Sequence, residues 1–169
     1  EYRYRYWAKR ELRNRVPKQV ESELASWLET LNPDEPRFRH HQMEALWTYR
    51  GIGSANPNLL LKLLGCDIRH ARAAATRQLR YGDCGLSDKE RDDQLLQSAN
   101  DESALVRLEA VTASTYIASL KAFHAVLAVI QRPRGAHLDY AIRTALGSES
   151  LLPFWSNSNP RQVTDFMEA

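Results

Sequence analysis

The sequence predicts an all-α protein in which pairs of helices stack into a superhelix. Two observations lead to this fold class: four similar helical blocks recur along the chain, and apolar residues repeat at helical rather than strand spacing. Only seven glycines occur in 169 residues, and Ala, Leu, Arg and Glu are plentiful, which also favours helices. We expect about four helix pairs, with extra helices at both ends, in one domain over residues 1–169.

Proline and asparagine mark the starts of helices in the first part of the chain. Pro17 and Pro36 each precede an apolar face at helical spacing, and proline is tolerated in a first helical turn. Asn56 followed by Pro57 combines an N-cap residue with proline at the first helical position. We therefore predict helices over residues 17–31, 36–49 and 57–64.

Short polar side chains mark the later helix starts. Ser87 and Glu90 have the Ser-x-x-Glu spacing of a capping box, and Asp67, Asp101 and Ser119 are further candidate caps. Breaks follow at glycine, asparagine and the Arg-Pro-Arg-Gly sequence at 132–135. We predict helices over residues 67–81, 87–100, 101–117, 119–131 and 138–146, and a last one from 159.

Four blocks of nine residues form the repeat. They read "HQMEALWTY" from 41, "ARAAATRQL" from 71, "VRLEAVTAS" from 106 and "LDYAIRTAL" from 138. Their spacing of roughly 30–35 residues is typical of stacked helix pairs, with each block as the second helix of a pair. The fifth position is small in three blocks, which predicts that Ala75 and Ala110 are buried where neighbouring helices approach closely.

An acidic residue precedes an arginine in two of these blocks. Asp67 stands five residues before Arg72, and Asp101 stands six residues before Arg107. Together with the alanine-rich second helices, this pattern over residues 17–147 resembles HEAT repeats. The resemblance implies that Asp67, Asp101 and Arg107 belong to a ladder of charged pairs along the spine of the superhelix. The first and last blocks have Gln and Asp at the arginine position, so the expected ladder is incomplete.

The stretch "HHQMEALWTYR" at 40–50 holds the first candidate docking residues, His40, His41, Glu44 and Trp47. Adjacent histidines on a helix point ~100° apart, so they are poorly placed to share a metal ion. We interpret them as packing or interface residues. An alternative in which Glu44 is simply exposed remains open.

The N-terminal segment is a natural partner for this stretch. Residues 1–15 carry a local charge of +4, and they include three tyrosines and Trp7. An amphipathic helix here would cover the open end of the first repeat, because terminal repeats need a cap. We predict that Glu44, with Trp47 and one histidine, fastens this helix by accepting a hydrogen bond from Arg10, Arg13 or a tyrosine hydroxyl.

A second candidate surface is basic. Arg69, Arg72, Arg77 and Arg80 fall within a ~140° arc of one helix. If second helices line a concave face, these arginines favour a phosphate-binding groove, as in the HEAT-like DNA glycosylases. The other interpretation is that Arg72 belongs to the spine and the remaining arginines are solvated. Nucleic-acid binding is therefore the alternative function, although a net charge of +2 gives it no general support.

No catalytic or metal-binding motif is present in the sequence. It has no P-loop, no Gly-x-Gly-x-x-Gly, no Gly-x-Ser-x-Gly and no histidine pair at i, i+4. Cys66 and Cys84 bracket a predicted helix whose ends lie ~20 Å apart, too far for a disulfide. No apolar run approaches the ~20 residues that span a bilayer. We expect a non-catalytic segment without cofactor, metal or membrane insertion; an enzyme would require a deep pocket with convergent polar groups.

Five stretches of the chain also resemble a more specific family. "YWAKRELRNR", "HHQMEALWTYR", "ARAAATRQLRY", "VRLEAV" and "LDYAIRTAL" are similar, in this order over residues 3–155, to the HEAT-like region of large exported proteins of planctomycetes and verrucomicrobia. These are called PVC-type haem-binding, or membrane-bound dehydrogenase-like, proteins. In that family the region lies between a dehydrogenase-like β-propeller and a c-type cytochrome module.

The family's redox chemistry has no counterpart in this chain. Haem attachment by a cytochrome module uses Cys-x-x-Cys-His, and neither cysteine here stands in such a motif. What the resemblance implies is a scaffold or spacer that docks other domains of the same polypeptide or a protein partner, in the periplasm or at the cell surface. Because the chain begins at Glu1 and ends in an expected helix, we also expect it to be a segment of a longer polypeptide.

Overall fold

Side-chain caps or prolines mark four of the helix starts in the computed structural model, which describes residues 2–156. Asn56 accepts the N–H of Leu59 with Pro57 at the first helical position, and Ser119 accepts the N–H of Ala122. Ser87 and Glu90 complete the predicted capping box, with each side chain accepting from the other's backbone N–H.

Ten α-helices make up the described residues, and no strand occurs between 2 and 156. A short tenth helix, α10, follows Leu151 and was not predicted, and the helix expected from 159 lies outside the described residues. The helices are α1 (Tyr2–Arg13), α2 (Pro17–Glu29), α3 (Phe38–Gly51), α4 (Pro57–Leu64), α5 (Arg69–Gln78), α6 (Asp88–Ala99), α7 (Ala104–Ser114), α8 (Leu120–Ile130), α9 (Ala136–Leu146) and α10 (Leu152–Ser156).

The helices pack as neighbouring pairs, which confirms the predicted repeat architecture. Each nine-residue block lies in a second helix, and these second helices pack in succession from α3 to α5, α7 and α9. The first helices α4, α6 and α8 pack against α5, α7 and α9, and α2 packs against α3. Helices α1 and α10 pack on α3 and α8, so within residues 2–156 the four pairs have one extra helix at each end.

One continuous apolar core runs between the two layers, from Ala45 in α3 to Leu151 before α10. Ala75 and Ala110 are fully buried, as their repeat position predicts. These alanines allow close helix approach, while Leu60, Leu79 and Leu95 fill the space between layers without solvent contact.

Two predicted caps were wrong. Asp67 makes no cap bond to α5, whose N-cap position is held by Ile68 without a side-chain hydrogen bond. Ser103, not Asp101, occupies the N-cap position of α7, because the Asp101 carboxylate instead binds Arg72 of the preceding repeat while also accepting the N–H of Ser103. The Asp101 carboxylate therefore serves both the contact with the preceding repeat and the turn that leads into α7.

Candidate functional site

Helix α1 is fastened to α3 through Glu44. The Glu44 carboxylate accepts from Arg5 at 3.1 Å, is also paired with Lys9, and lies 3.6 Å from His40 Nε2. The Lys9 ammonium stands 4.9 Å from the centre of the Trp47 ring. The predicted fastening by Glu44, Trp47 and one histidine is therefore present in the fold.

The partners of Glu44 differ from those expected. Arg5 and Lys9, rather than Arg10, Arg13 or a tyrosine hydroxyl, supply the charge. Arg5, Lys9 and Arg13 recur at i, i+4 and i+8 and therefore share one face of α1. Arg13, one turn further along, lies against Gly51, where an added Cβ would stand 3.2 Å from the arginine Nε.

His40 and His41 have separate environments, as expected for neighbours on a helix. His40 belongs to the Glu44 cluster, whereas His41 packs against Trp27 of α2 with ring centres 5.8 Å apart. The Nδ1 atom of His41 is buried without a hydrogen-bond partner in the described residues. Both histidines therefore act as packing residues at the junction of α1, α2 and α3.

The fastened α1 presents aromatic side chains to solvent. Tyr4, Tyr6 and Trp7 are 72%, 53% and 58% exposed, and the rings of Tyr4 and Trp7 pack edge to face with centres 6.2 Å apart. Tyr4 and Trp7 stand three residues apart and share one side of the helix, and we call these two residues the α1 aromatic face; Tyr6 lies on a different side of α1. Large exposed aromatic groups on a helix that is itself held in place are characteristic of protein interfaces.

The spine of the superhelix is built on Arg72 and Asp101. Arg72 Nε and Nη2 donate to the two carboxylate oxygens of Asp101 at 2.7 and 3.0 Å, and Nη1 donates to the carbonyls of Cys66 and Asp67 at 3.0 Å each. This guanidinium is buried, and its hydrogen bonds to the Asp101 carboxylate raise the pKa of Arg72 despite the opposing effect of burial. Arg72 therefore belongs to the spine and is not available to a ligand.

The same geometry recurs one repeat later with different chemistry. Arg107 Nη1 donates to the carbonyls of Asp101 and Glu102, the same sequence offsets of six and five that Arg72 uses. Arg72 Nη2 binds the Asp101 carboxylate of the next repeat, whereas Arg107 Nη2 donates to the backbone carbonyl of Pro133 at 2.6 Å. A backbone carbonyl thus replaces the carboxylate.

Asp67 is paired through the first repeat. Arg39 Nε lies 3.6 Å from the Asp67 carboxylate, and Arg39 Nη1 donates to Gln42 Oε1 at 3.0 Å. Arg39 stands one turn before Gln42, the residue at the expected arginine position. The ladder of charged pairs therefore extends to the first repeat through Arg39, and not through the residue at the arginine position of the block, Gln42.

A row of arginine and tyrosine side chains lies at the carboxyl ends of α3, α5 and α7. We call Arg50, Arg77, Arg80, Tyr81 and Tyr116 the arginine–tyrosine row. The guanidinium carbons of Arg50 and Arg80 stand 3.3 and 4.6 Å from the centre of the Tyr81 ring, and that of Arg80 stands 5.4 Å from the Tyr116 ring. The hydrogen bond from Arg80 lowers the pKa of Tyr81 although burial opposes this, and the charge of Arg50 acts in the same direction.

The arginines of the row differ in their partners. Arg50 pairs with Asp83, and Arg77 binds both carboxylate oxygens of the buried Glu109, with Nε 3.0 Å from Oε2. The hydrogen bonds that Arg77 donates to Glu109 raise the pKa of Arg77 against the effect of burial. Arg80 forms no ion pair within residues 2–156, and its Nε is shielded from solvent without a hydrogen-bond partner there.

A groove of about 490 Å³ opens beside the row. Its walls include Arg50 and Trp47 of α3, Arg77 of α5, the following Tyr81, and Arg13 from the last turn of α1. Arg13, like Arg80, has no ion-pair partner among the described residues. The fastening of α1 therefore also completes the wall of this groove.

The four arginines expected to share a basic face are divided by the fold. Arg72 is buried in the spine, and Arg77 and Arg80 belong to the row at the end of α5. Arg69 lies at the start of α5 in a separate polar groove of about 480 Å³, with His70, Glu102 and Ser103. The predicted single basic face is therefore replaced by two separate sites.

Sequence reasoning missed Arg50, Tyr81 and Tyr116, although the repeat contains a signal for them. Extending each block by two residues places Arg50 and Arg80 at the tenth position and Tyr81 and Tyr116 at the eleventh. These positions lie in the last turn of the helix or just after it, beyond the apolar pattern used to align the blocks.

Both cysteines are free, which agrees with the predicted absence of a disulfide. No group of three or more His, Cys, Asp or Glu side chains in residues 2–156 is arranged to hold a metal ion. In the same part of the chain, every helix is too short or too polar to cross a membrane. Searches with the sequence and the structure match no family model, no curated protein and no solved structure.

Proposed function

We propose that this chain is a non-catalytic helical scaffold that docks a protein, either another domain of its own polypeptide or a separate partner. The observation that carries the proposal is the α1 aromatic face. Tyr4 and Trp7 remain in solvent although the polar side of the same helix is held on α3 by Glu44. Tyr and Trp are the residues enriched at the energetic centres of protein interfaces.

The buried charges support a scaffold that keeps its shape. Arg72 joins the turn before its own helix to Asp101 of the next repeat, and Arg107 joins the following turn to Pro133. These cross-repeat bonds resist changes in the angle between pairs. A surface that is ordered before binding loses less entropy when it docks.

The sequence resemblance supplies a cellular context for this proposal. In the large exported proteins that the chain resembles, the partners would be the neighbouring redox domains, and the scaffold would work in the periplasm or at the cell surface. The solenoid would then set the distance between two redox modules without taking part in electron transfer. This chain itself would need no cofactor for that role.

Site-specific photo-crosslinking in the cells that produce the protein tests the proposal. A benzoylphenylalanine at position 4 should form a covalent adduct with a protein or with a neighbouring domain, identified by mass spectrometry. Position 140 is the matched control, because Tyr140 is 74% exposed and Tyr4 is 72% exposed. Equal adduct yields at both positions, or none at position 4, would count against docking through α1.

Nucleic-acid binding remains the alternative proposal, supported by Arg13 in the wall of the groove and Arg80 in the arginine–tyrosine row, neither of which has an ion-pair partner within residues 2–156. The division of the basic set weakens it, since Arg72 is buried and Arg77 is bound to Glu109. A salt-dependent mobility shift with a short oligonucleotide tests this alternative.

A further inference from the structure

We propose that the arginine–tyrosine row binds an acidic, extended peptide segment of the docked protein. This inference deepens the proposed function and rests on it. The row and its groove are separate from the α1 aromatic face, so the two surfaces can be tested independently.

The first argument is charge. Four arginines, Arg13, Arg50, Arg77 and Arg80, surround the groove and the row, and they face only two carboxylates, Asp83 and Glu109. Two positive charges are therefore left without a partner in the described residues. Guanidinium groups bind carboxylates through paired, charge-assisted hydrogen bonds.

Contacts within the chain show which kind of ligand these guanidinium groups bind. Arg77 binds both oxygens of Glu109, and Arg50 binds Asp83, whose side chain is 69% exposed. Both partners are carboxylates presented from the neighbouring helix or loop. A partner's carboxylate at Arg80 would also give its buried Nε–H the acceptor that it lacks.

The length of the row suits an extended chain. Packed helices lie ~8–10 Å apart, so the distance from the end of α3 across α5 to the end of α7 is roughly 20 Å. An extended peptide covers that distance with about six residues, at ~3.3 Å per residue. Acidic residues at every second or third position would meet successive arginines.

The aromatic rings favour a peptide over a nucleic acid. Single-stranded nucleic acids bind by stacking bases on free aromatic faces. Trp47 has the Lys9 ammonium over its ring, and Tyr81 has Arg50 and Arg80 within 3.3 and 4.6 Å of its ring centre. The rings next to the groove are thus occupied by cations of the protein itself, which orient those cations for carboxylates.

A simpler role for these arginines is to complement the negative end of the helix dipoles, since Arg50 and Arg77 lie in the last turns of α3 and α5. That role does not account for Arg13, which comes from α1 and lies against Gly51. Nor does it account for Arg80, which binds the Tyr81 hydroxyl.

Fluorescence anisotropy with the whole chain tests the proposal. The probe is a fluorescein-labelled peptide, Glu-Glu-Gly-Glu-Glu-Gly-Glu-Glu, and the reference is the same labelled peptide with Gln for Glu. The wild-type protein should bind the Glu peptide at least about tenfold more tightly than the Gln peptide at low salt, and the preference should shrink as salt is raised.

The test variant is Arg13→Gln/Arg80→Gln, which removes the two unpaired cations and leaves both internal ion pairs in place. Its matched control is Lys62→Gln/Arg132→Gln, which makes the same change in net charge at two exposed positions, on α4 and just after α8, in the layer of first helices. The test variant should weaken binding of the Glu peptide about tenfold or more, and the control less than about twofold. Thermal melting checks that both variants fold, and Arg80→Lys, which keeps the charge, should retain part of the affinity.

Three results would overturn the proposal: equal weakening in both double variants, tighter binding of a labelled oligothymidylate of eight nucleotides than of the Glu peptide, or no preference for Glu over Gln in the wild type. If the peptide fails to bind while position 4 still crosslinks to a protein, only this inference falls. If crosslinking fails while the peptide binds, the proposed docking through α1 falls instead.

Discussion

Arg72 and Asp101 form a two-pronged ion pair across consecutive repeats, with Nε 2.7 Å from Oδ2 and Nη2 3.0 Å from Oδ1. Both side chains are almost entirely shielded from solvent, at 11% and 13% exposure. The remaining Nη1 hydrogens are taken up by two backbone carbonyls. This single contact connects two turns and two helix pairs, so its loss should lower the free energy of unfolding of the whole fold.

Replacing Asp101 with Ala should lower the free energy of unfolding by ~3–5 kcal/mol, because it removes the buried carboxylate that neutralises the Arg72 charge. Urea denaturation measures the change. Glu102→Gln is the matched control: this carboxylate also contacts Arg72, at 3.3 Å, but is 88% exposed, so its loss should cost less than ~1 kcal/mol. Similar losses in the two variants would show that the pair is not the anchor of the spine.

Protonation of the Asp101 carboxylate should account for part of the loss of stability in acid. Burial raises the pKa of Asp101, but the hydrogen bonds from Arg72 and from the Ser103 N–H outweigh it, so this pKa lies below its ordinary value in the folded chain. A lowered folded pKa stabilises the fold above the unfolded pKa, and this contribution is lost as pH falls through the folded value. Wild type should therefore lose stability more steeply than Asp101→Asn between pH ~5 and ~2, as followed by urea midpoints. Parallel pH profiles for the two proteins would contradict this.

The fold could be predicted from the sequence because four helices carry a cap or proline at their start and the repeat sets the spacing of the others. Ala75 and Ala110 share a repeat position, and both are buried. The charged contacts were harder to predict, since each depends on which side chain of a neighbouring helix lies within hydrogen-bonding distance after packing. Asp101 has the sequence of an N-cap, and its carboxylate does accept the N–H of Ser103 at 2.7 Å, but it also binds Arg72 of the preceding repeat at 2.7 Å, which the sequence of α7 does not reveal.

In the candidate site, too, the helices that meet could be predicted but the side chains that pair could not. The charge and aromatic content of residues 1–15 predicted that this segment packs on Glu44. Which of its basic side chains pair with Glu44 depends on the rotation of α1 about its axis. Arg5, Lys9 and Arg13 face α3, which brings Arg5 and Lys9 to Glu44 and leaves Arg13 at the groove. The arginine–tyrosine row escaped prediction because it is assembled from the ends of three helices, outside the apolar pattern of any one of them.

Ala110→Leu should overpack the junction of α7 with its neighbours and lower the free energy of unfolding by ~1–3 kcal/mol. Ala110 has no solvent exposure, so three added heavy atoms must displace packed neighbours. Ala104→Leu on the same helix is the control, since Ala104 is exposed and the larger side chain projects into solvent. Equal melting temperatures for wild type and Ala110→Leu would mean that the repeat register is wrong.

The purified, tag-free chain should contain no stoichiometric transition metal or haem. His40 and His41 contact Glu44 and Trp27 respectively, so they do not face a common site. Cys66 is buried, with its sulfur directed at the Ile68 carbonyl at 3.6 Å. Elemental analysis and an absorption spectrum test this expectation, and one equivalent of zinc, copper or iron per chain would refute it.

Glu44→Gln should release α1 from α3 and expose Trp47 to solvent. Glu44 is only 17% exposed and is shared by Arg5, Lys9 and His40, so removing its charge breaks a cluster rather than a single surface pair. A partly buried, charge-assisted contact of this kind contributes ~1.5–3 kcal/mol. The loss should also free the Lys9 ammonium from its position over Trp47.

The readout is collisional quenching of Trp47 by acrylamide in a background with Trp7, Trp27 and Trp155 changed to Phe. Glu44→Gln, and deletion of residues 1–15, should both raise the quenching constant and lower the melting temperature. Glu11→Gln is the matched control, because Glu11 pairs only with Arg15 within the same segment and is 62% exposed. If quenching rises equally in the control, the effect reflects the charge of the segment and not its attachment to Glu44. If Glu44→Gln and the deletion leave both quenching and melting unchanged, α1 does not cover Trp47 in solution, and the docking surface proposed on it would lose the support that holds it in place.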